Sequence, residues 1–63
     1  MKTQHICKAS QLQVGDTLIS NGHYWDVIQI EDERFGLEVR LRDYTGAGRV
    51  KFFLPDEIVT VEF

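Results

Sequence analysis

Residues 37–54, LEVRLRDYTGAGRVKFFL, decide how the chain reads. Leu37, Val39 and Leu41 alternate with Glu38, Arg40 and Arg42. That period of two is the mark of a half-buried antiparallel strand. Thr45-Gly46-Ala47-Gly48 turns the chain, and Val50, Phe52 and Leu54 then form a second alternating apolar set. If both sets face the core, Val50 pairs near Leu41 and Phe52 near Val39. The same register puts Arg42 opposite Arg49 and Arg40 opposite Lys51, so four cations share one face of a hairpin in a chain of net charge −3. Like charges directly opposite are destabilising, on the scale of about 0.2–1 kcal/mol for cross-strand pairs. Phe53 has the parity of that face and Tyr44 lies at its turn, which makes the patch basic with aromatic edges.

Working outward, the neighbouring segments also read as strands. DTLIS (16–20) meets HYWDVIQI (23–30) across Asn21-Gly22, the dipeptide best suited to the two positive φ angles of a type I′ turn. Tyr24 and Trp25 are adjacent and so point to opposite faces of their strand. Ile28 and Ile30 share the parity of Tyr24, which favours Tyr24 inward and Trp25 partly exposed; a bent strand covering both aromatics is the alternative. Glu31–Gly36 reads as a polar loop. Pro55-Asp56-Glu57 ends the strand that began at Arg49 and is expected to form one tight helical turn. Val59, Val61 and Phe63 point inward from a last strand, and residues 3–8 form a first strand anchored by Ile6.

Five or six short strands with tight turns in 63 residues predict one all-β domain over residues 1–63, closed as a small barrel to hide its strand edges. An SH3-like barrel is the first expectation and an OB-like barrel the second. A chain this short buries only about 60% of its unfolded surface, and its one cysteine, Cys7, offers no disulfide. A single thiol fits a reducing, cytoplasmic setting. No apolar run approaches the roughly 18 residues of a membrane span, and MKTQHICKAS has no apolar block of a signal peptide.

The order of these segments resembles the N-terminal, KOW-like barrel of elongation factor P and its eukaryotic relatives. The matching residues are Leu12 and Gly15 in the leader, Gly22, Tyr24 and Val27 in the next strand, and Thr45-Gly46-Ala47 in the later hairpin. The likeness spans residues 9–62 and implies an SH3-like barrel. That family carries a Gly-Lys-Gly tip between its third and fourth strands, whose lysine reaches into the ribosome. Here the corresponding stretch is Glu31-Asp32-Glu33-Arg34-Phe35-Gly36, without lysine. The resemblance therefore implies the scaffold and not translation-factor activity.

Catalytic patterns are absent from the sequence: there is no nucleophile elbow, phosphate-cradling glycine loop or credible carboxylate pair. His5, Cys7 and His23 are too few and too scattered for a closed structural zinc site, so no metal or cofactor is expected. What stands out is binding. The candidate residues are Arg40, Arg42, Tyr44, Arg49, Lys51 and Phe53 on the hairpin, with Trp25. Two explanations of the cations compete: neutralisation within the chain by Glu38, Asp43, Glu62 or residues 31–33, or contact with an anionic partner, for which the arginine fork is suited. The expectation is a protein-interaction module, an accessory protein of a bacterium or phage. Weak nucleic-acid binding through the 40–53 face is the alternative, since aromatics among cations hold single strands by stacking and phosphate contact. An open strand edge would also allow self-association.

Overall fold

A computed structural model describes residues 3–62. Six antiparallel strands run β1 (Gln4–Lys8), β2 (Thr17–Ser20), β3 (His23–Glu33), β4 (Gly36–Arg42), β5 (Gly48–Phe53) and β6 (Ile58–Glu62), with one 3-10 turn at Ala9–Gln11. They form a single sheet in the order β1-β6-β2-β3-β4-β5: a four-strand meander, then a return that lays β6 between β2 and β1. The expected all-β class is thus the class observed. The sheet curls until its inner faces share one core, built from Leu18, Val27, Leu37, Val39, Leu41, Phe53, Val59 and Val61. Ala9 and Leu12 join that core from the β1–β2 connection. The 3-10 turn is held by Ala9 N–H donating to Glu57 C=O (2.8 Å) and Ser10 N–H donating to Pro55 C=O (3.1 Å).

Local chemistry explains each turn. Asn21 (φ 52°) and Gly22 (φ 78°) both lie in the left-handed region, as the β2–β3 hairpin demands. The β3–β4 connection is tighter than the polar loop expected at 31–36: β3 continues to Glu33, and only Arg34 and Phe35 separate the strands. Pro55 and Asp56 make a hydrogen-bonded turn closed by Glu57 N–H donating to Leu54 C=O, and not a helical one.

The β4–β5 loop is where sequence and structure part. Asp43 N–H donates to Ala47 C=O, and Gly46 N–H, at a glycine with φ 89°, donates to Asp43 C=O. This is a three-residue loop with a left-handed last residue. The Asp43 carboxylate accepts from Thr45 N–H (2.9 Å), Thr45 Oγ1 (2.6 Å) and Ala47 N–H (3.0 Å). The resulting register pairs Arg42 with Gly48, Leu41 with Arg49, Val39 with Lys51 and Leu37 with Phe53. It differs by one residue from the expected register, and one residue inverts every side chain of a strand. Phe53 is buried at 7% exposure, while Val50, Phe52 and Leu54, expected inside, are exposed at 44, 69 and 63%.

Two smaller corrections have similar causes. An irregularity between Val27 and Gln29 shifts the β3–β4 register and switches the strand's parity. Trp25, Val27 and Ile30 thereby all reach the core, and Tyr24 and Ile28 are exposed, so the Tyr24-inward reading fails. In β1 it is Cys7 that packs on the core, and Ile6, the expected anchor, is exposed. Phe63 lies outside the described residues.

Two tests follow from these contacts. A Cβ added at Gly36 would lie 2.7 Å from the Phe53 carbonyl oxygen, and backbone cannot yield as a side chain can. Gly36→Ala should cost about 1–3 kcal/mol in urea unfolding, the range for overpacking. The hydrogen bond from Thr45, with those from Ala47 and the loop amides, holds the Asp43 carboxyl below the ordinary aspartate range. A depressed folded pKa contributes stability above the unfolded value and loses it as pH falls through the folded one. Asp43→Asn should therefore lower the thermal midpoint at neutral pH and flatten its fall in acid, as followed by circular dichroism.

Candidate functional site

The outer face of β3–β4–β5 has ordered rows. Asp26 pairs with Arg42 and then Gly48; Gln29 with Arg40 and then Val50; Glu31 with Glu38 and then Phe52. Polar and charged residues therefore fill β3 and β4, and apolar ones fill β5, one of the two terminal strands. Beyond the last row, Phe35 at the β3–β4 tip is exposed at 82%. With Gly36, Phe52, Phe53 and Leu54 it lines a groove of about 480 Å³ bordered by Glu33, Arg34 and Glu57. The glycine at 36 lets the main chain of β4 approach the Phe53 carbonyl at one wall of this groove. Arg34 lies 5.5 Å above the Phe35 ring and holds it at the tip.

The four cations are not together. Arg40 and Arg42 are exposed on the outer face, whereas Arg49 and Lys51 share the inner parity of Leu41 and Val39. At the barrel mouth they meet rings. The Arg49 guanidinium lies 5.3 Å from the Trp25 ring centroid, and Lys51 Nζ lies 5.7 Å from that of Phe53. Lys51 Nζ also donates weakly to Ser20 Oγ at 3.5 Å, bridging β5 to β2. Long aliphatic stems make this tolerable, because they cover apolar surface while the charge stays wet. Trp25 is therefore half-buried beneath Arg49, Phe53 is a core residue, and Tyr44 stands alone at the loop tip, 97% exposed.

No close ion pair neutralises these cations among the described residues, although Asp26 stands directly opposite Arg42 in the register. Among the described residues no carboxylate pairs with Arg40, Arg42, Arg49 or Lys51; the ion pair seen is Lys8 with Asp56, 3.9 Å apart at the surface. The like-charge apposition falls instead on carboxylates. Glu31 and Glu38 are directly paired, and with Glu33 their oxygens gather within 4.8 Å. The protonated Glu33 carboxyl can donate to Glu38; this bond, then burial and the charges of Glu38 and Glu31, raise its pKa above the ordinary range. Charge at this end of the barrel is acidic, in contrast to the mouth beside β5.

Sequence reasoning missed Val50, Phe52 and Leu54 as surface residues. The signal that could have found them is Asp43-x-x-Gly46, which specifies the three-residue loop and hence the register. A comparison with protein-family models finds no match to the chain, and curated proteins yield no match either. No helix among the described residues is long and apolar enough to cross a membrane.

The ring contacts are open to measurement. Trp25 is the only tryptophan, so Arg49→Ala should change its fluorescence and cost roughly 0.5–1 kcal/mol, the scale of an exposed cation–π contact. Arg49→Lys should restore part of both.

Proposed function

We propose that this chain is a non-catalytic SH3-like barrel that works as a protein-interaction module, docking partners on the outer side of β5 and the adjoining β3–β4 tip. The observation that carries the reading is the run of exposed apolar residues, Phe35, Val50, Phe52 and Leu54, concentrated at one sheet edge around an open groove. Isolated surface apolar residues are ordinary, but a contiguous set bordered by charge marks an interaction surface. The SH3-like type is supported by the β2–β5 meander and the return of β6 beside β2. A reducing cytoplasm suits its single thiol, and a bacterial or phage accessory protein is the setting proposed for so small a barrel. Kinship with the elongation factor P barrel remains part of this proposal, supported by the Asn21-Gly22 and Thr45-Gly46-Ala47 turns.

The nucleic-acid alternative rested on four cations acting together. Divided between two faces, they offer two phosphate contacts per side, too few for more than feeble, salt-sensitive affinity.

Co-precipitation from the source cell compared across variants provides the test. Phe52→Ser with Phe35→Ser should reduce retention of the partner about tenfold or more, the scale of a hot spot. Val14→Ser, an exposed apolar change elsewhere, should leave it unaltered. Equal retention by all three proteins would refute the docking surface. Salt-dependent NMR shifts confined to residues 38–53 on addition of oligonucleotides would install the nucleic-acid reading instead.

A further inference from the structure

We infer that β5 takes a partner by strand addition, and that the added strand is an extended acidic segment with carboxylates at every second residue and apolar side chains between them. This rests on the interaction-module reading and specifies the partner's chemistry.

The first support is the open main chain of β5. The strand is terminal, and its main-chain ladder is with β4 alone. Antiparallel ladders alternate hydrogen-bonded and non-bonded pairs, and Asp43 N–H donating to Ala47 C=O sets the count. Residues 49, 51 and 53 then direct their main-chain groups to β4, and Gly48, Val50 and Phe52 direct theirs outward. Leu54 ends the open edge, since its N–H donates to Glu57 Oε1 (3.4 Å) and its C=O accepts from Glu57 N–H (3.0 Å). An incoming strand finds main-chain partners at Val50 and Phe52, the mode used wherever peptides extend a sheet.

The second support is charge. Arg49 and Lys51 alternate with Val50 and Phe52 along that edge. Aromatic rings hold both cations, and no carboxylate among the described residues neutralises either. An added strand would bring its own side chains alongside them. Carboxylates at alternate positions would meet Arg49 and Lys51, and the intervening apolar side chains would cover Val50 and Phe52.

The same geometry disfavours twofold pairing of β5 with β5 of a second copy of this chain. Twofold antiparallel pairing centred on Val50 sets Arg49 against the partner copy's Lys51. Centring on Lys51 sets that residue against itself. Centring on Phe52 requires the main chain of Leu54, which Glu57 already engages. Inward charge on an edge strand is a known guard against self-pairing, and here it also selects for opposite charge.

The test uses the ¹⁵N-labelled full chain and three blocked octapeptides in which valine alternates with glutamate, lysine or threonine. At low salt the glutamate peptide should bind about tenfold tighter than the lysine peptide, as two cross-strand charge pairs allow. It should slow amide exchange at Val50 and Phe52 specifically. Val50→Pro removes an outward N–H without removing a β4 bond and should abolish this binding. Arg49→Glu with Lys51→Glu should invert the preference toward the lysine peptide. Equal affinity for the charged peptides, shifts away from β5, or exchange protection at Val50 and Phe52 that grows with protein concentration alone would each overturn the inference. No peptide binding would also overturn it; loss of partner in Phe35→Ser with Phe52→Ser would then still uphold the docking surface.

Discussion

A single surface carboxylate sets the geometry on which the rest depends. By accepting from Thr45 and Ala47, Asp43 favours a three-residue β4–β5 loop with Gly46 in the left-handed region. The loop fixes the register, and the register decides which half of Arg49-Val50-Lys51-Phe52-Phe53 enters the barrel. Burial alone would have sent Val50 and Phe52 inward. The chosen register buries only Phe53 from this strand and leaves two cations at the barrel mouth. Their stems and the rings of Trp25 and Phe53 cover each other there, so the mouth is lined without a buried unpaired charge. The rest of the core comes from Leu18 on β2, Val27 on β3, Leu37, Val39 and Leu41 on β4, and Val59 and Val61 on β6, with Ala9 and Leu12 from the β1–β2 connection.

Much of this architecture was legible. Strict alternation in residues 37–42 placed Leu37, Val39 and Leu41 inside, Asn21-Gly22 announced its hairpin, and Val59 and Val61 fell where their period put them. Each is a case where local pattern and tertiary packing agree. The failures are cases where they compete. In β3 the irregularity at Val27–Gln29 breaks the period, and nothing in HYWDVIQI signals it because both parities are apolar. In β5 hydrophobicity favours the parity of Val50 and Phe52, and the loop overrides it. The first strand failed for a third reason. Ile6 is more apolar than Cys7, but β1 pairs with β6 in the register His5–Val61 and Cys7–Val59, and that pairing turns Cys7 inward.

The candidate site inherits these failures. Every residue proposed from sequence on the hairpin exists at the surface or mouth except Phe53, yet the patch they were to form does not. One continuous basic face becomes two exposed arginines outside and two ring-held cations within. The apolar residues released by the inversion take over the outer side of β5. Two features that look like defects of a small barrel, the exposed Phe52 and the unpaired charges of Arg49 and Lys51, therefore have one origin in the same one-residue choice.

That shared origin explains why the edge of β5 can be both sticky and guarded. Open main-chain groups and apolar side chains on a terminal strand invite pairing with any extended chain, including another copy. Alternating cations restrict the invitation, because a like-charged strand in register is repelled while an acidic one is drawn in. The barrel contains its own acidic counterpart in Glu31, Glu33 and Glu38 on β3 and β4, but none of the three pairs with Arg49 or Lys51. A chain of net charge −3 thus presents two unpaired cations, Arg49 and Lys51, where an incoming strand would lie. Selectivity of this kind needs no pocket and no catalytic group. It follows from the period of two in a strand and from the loop that chose its phase.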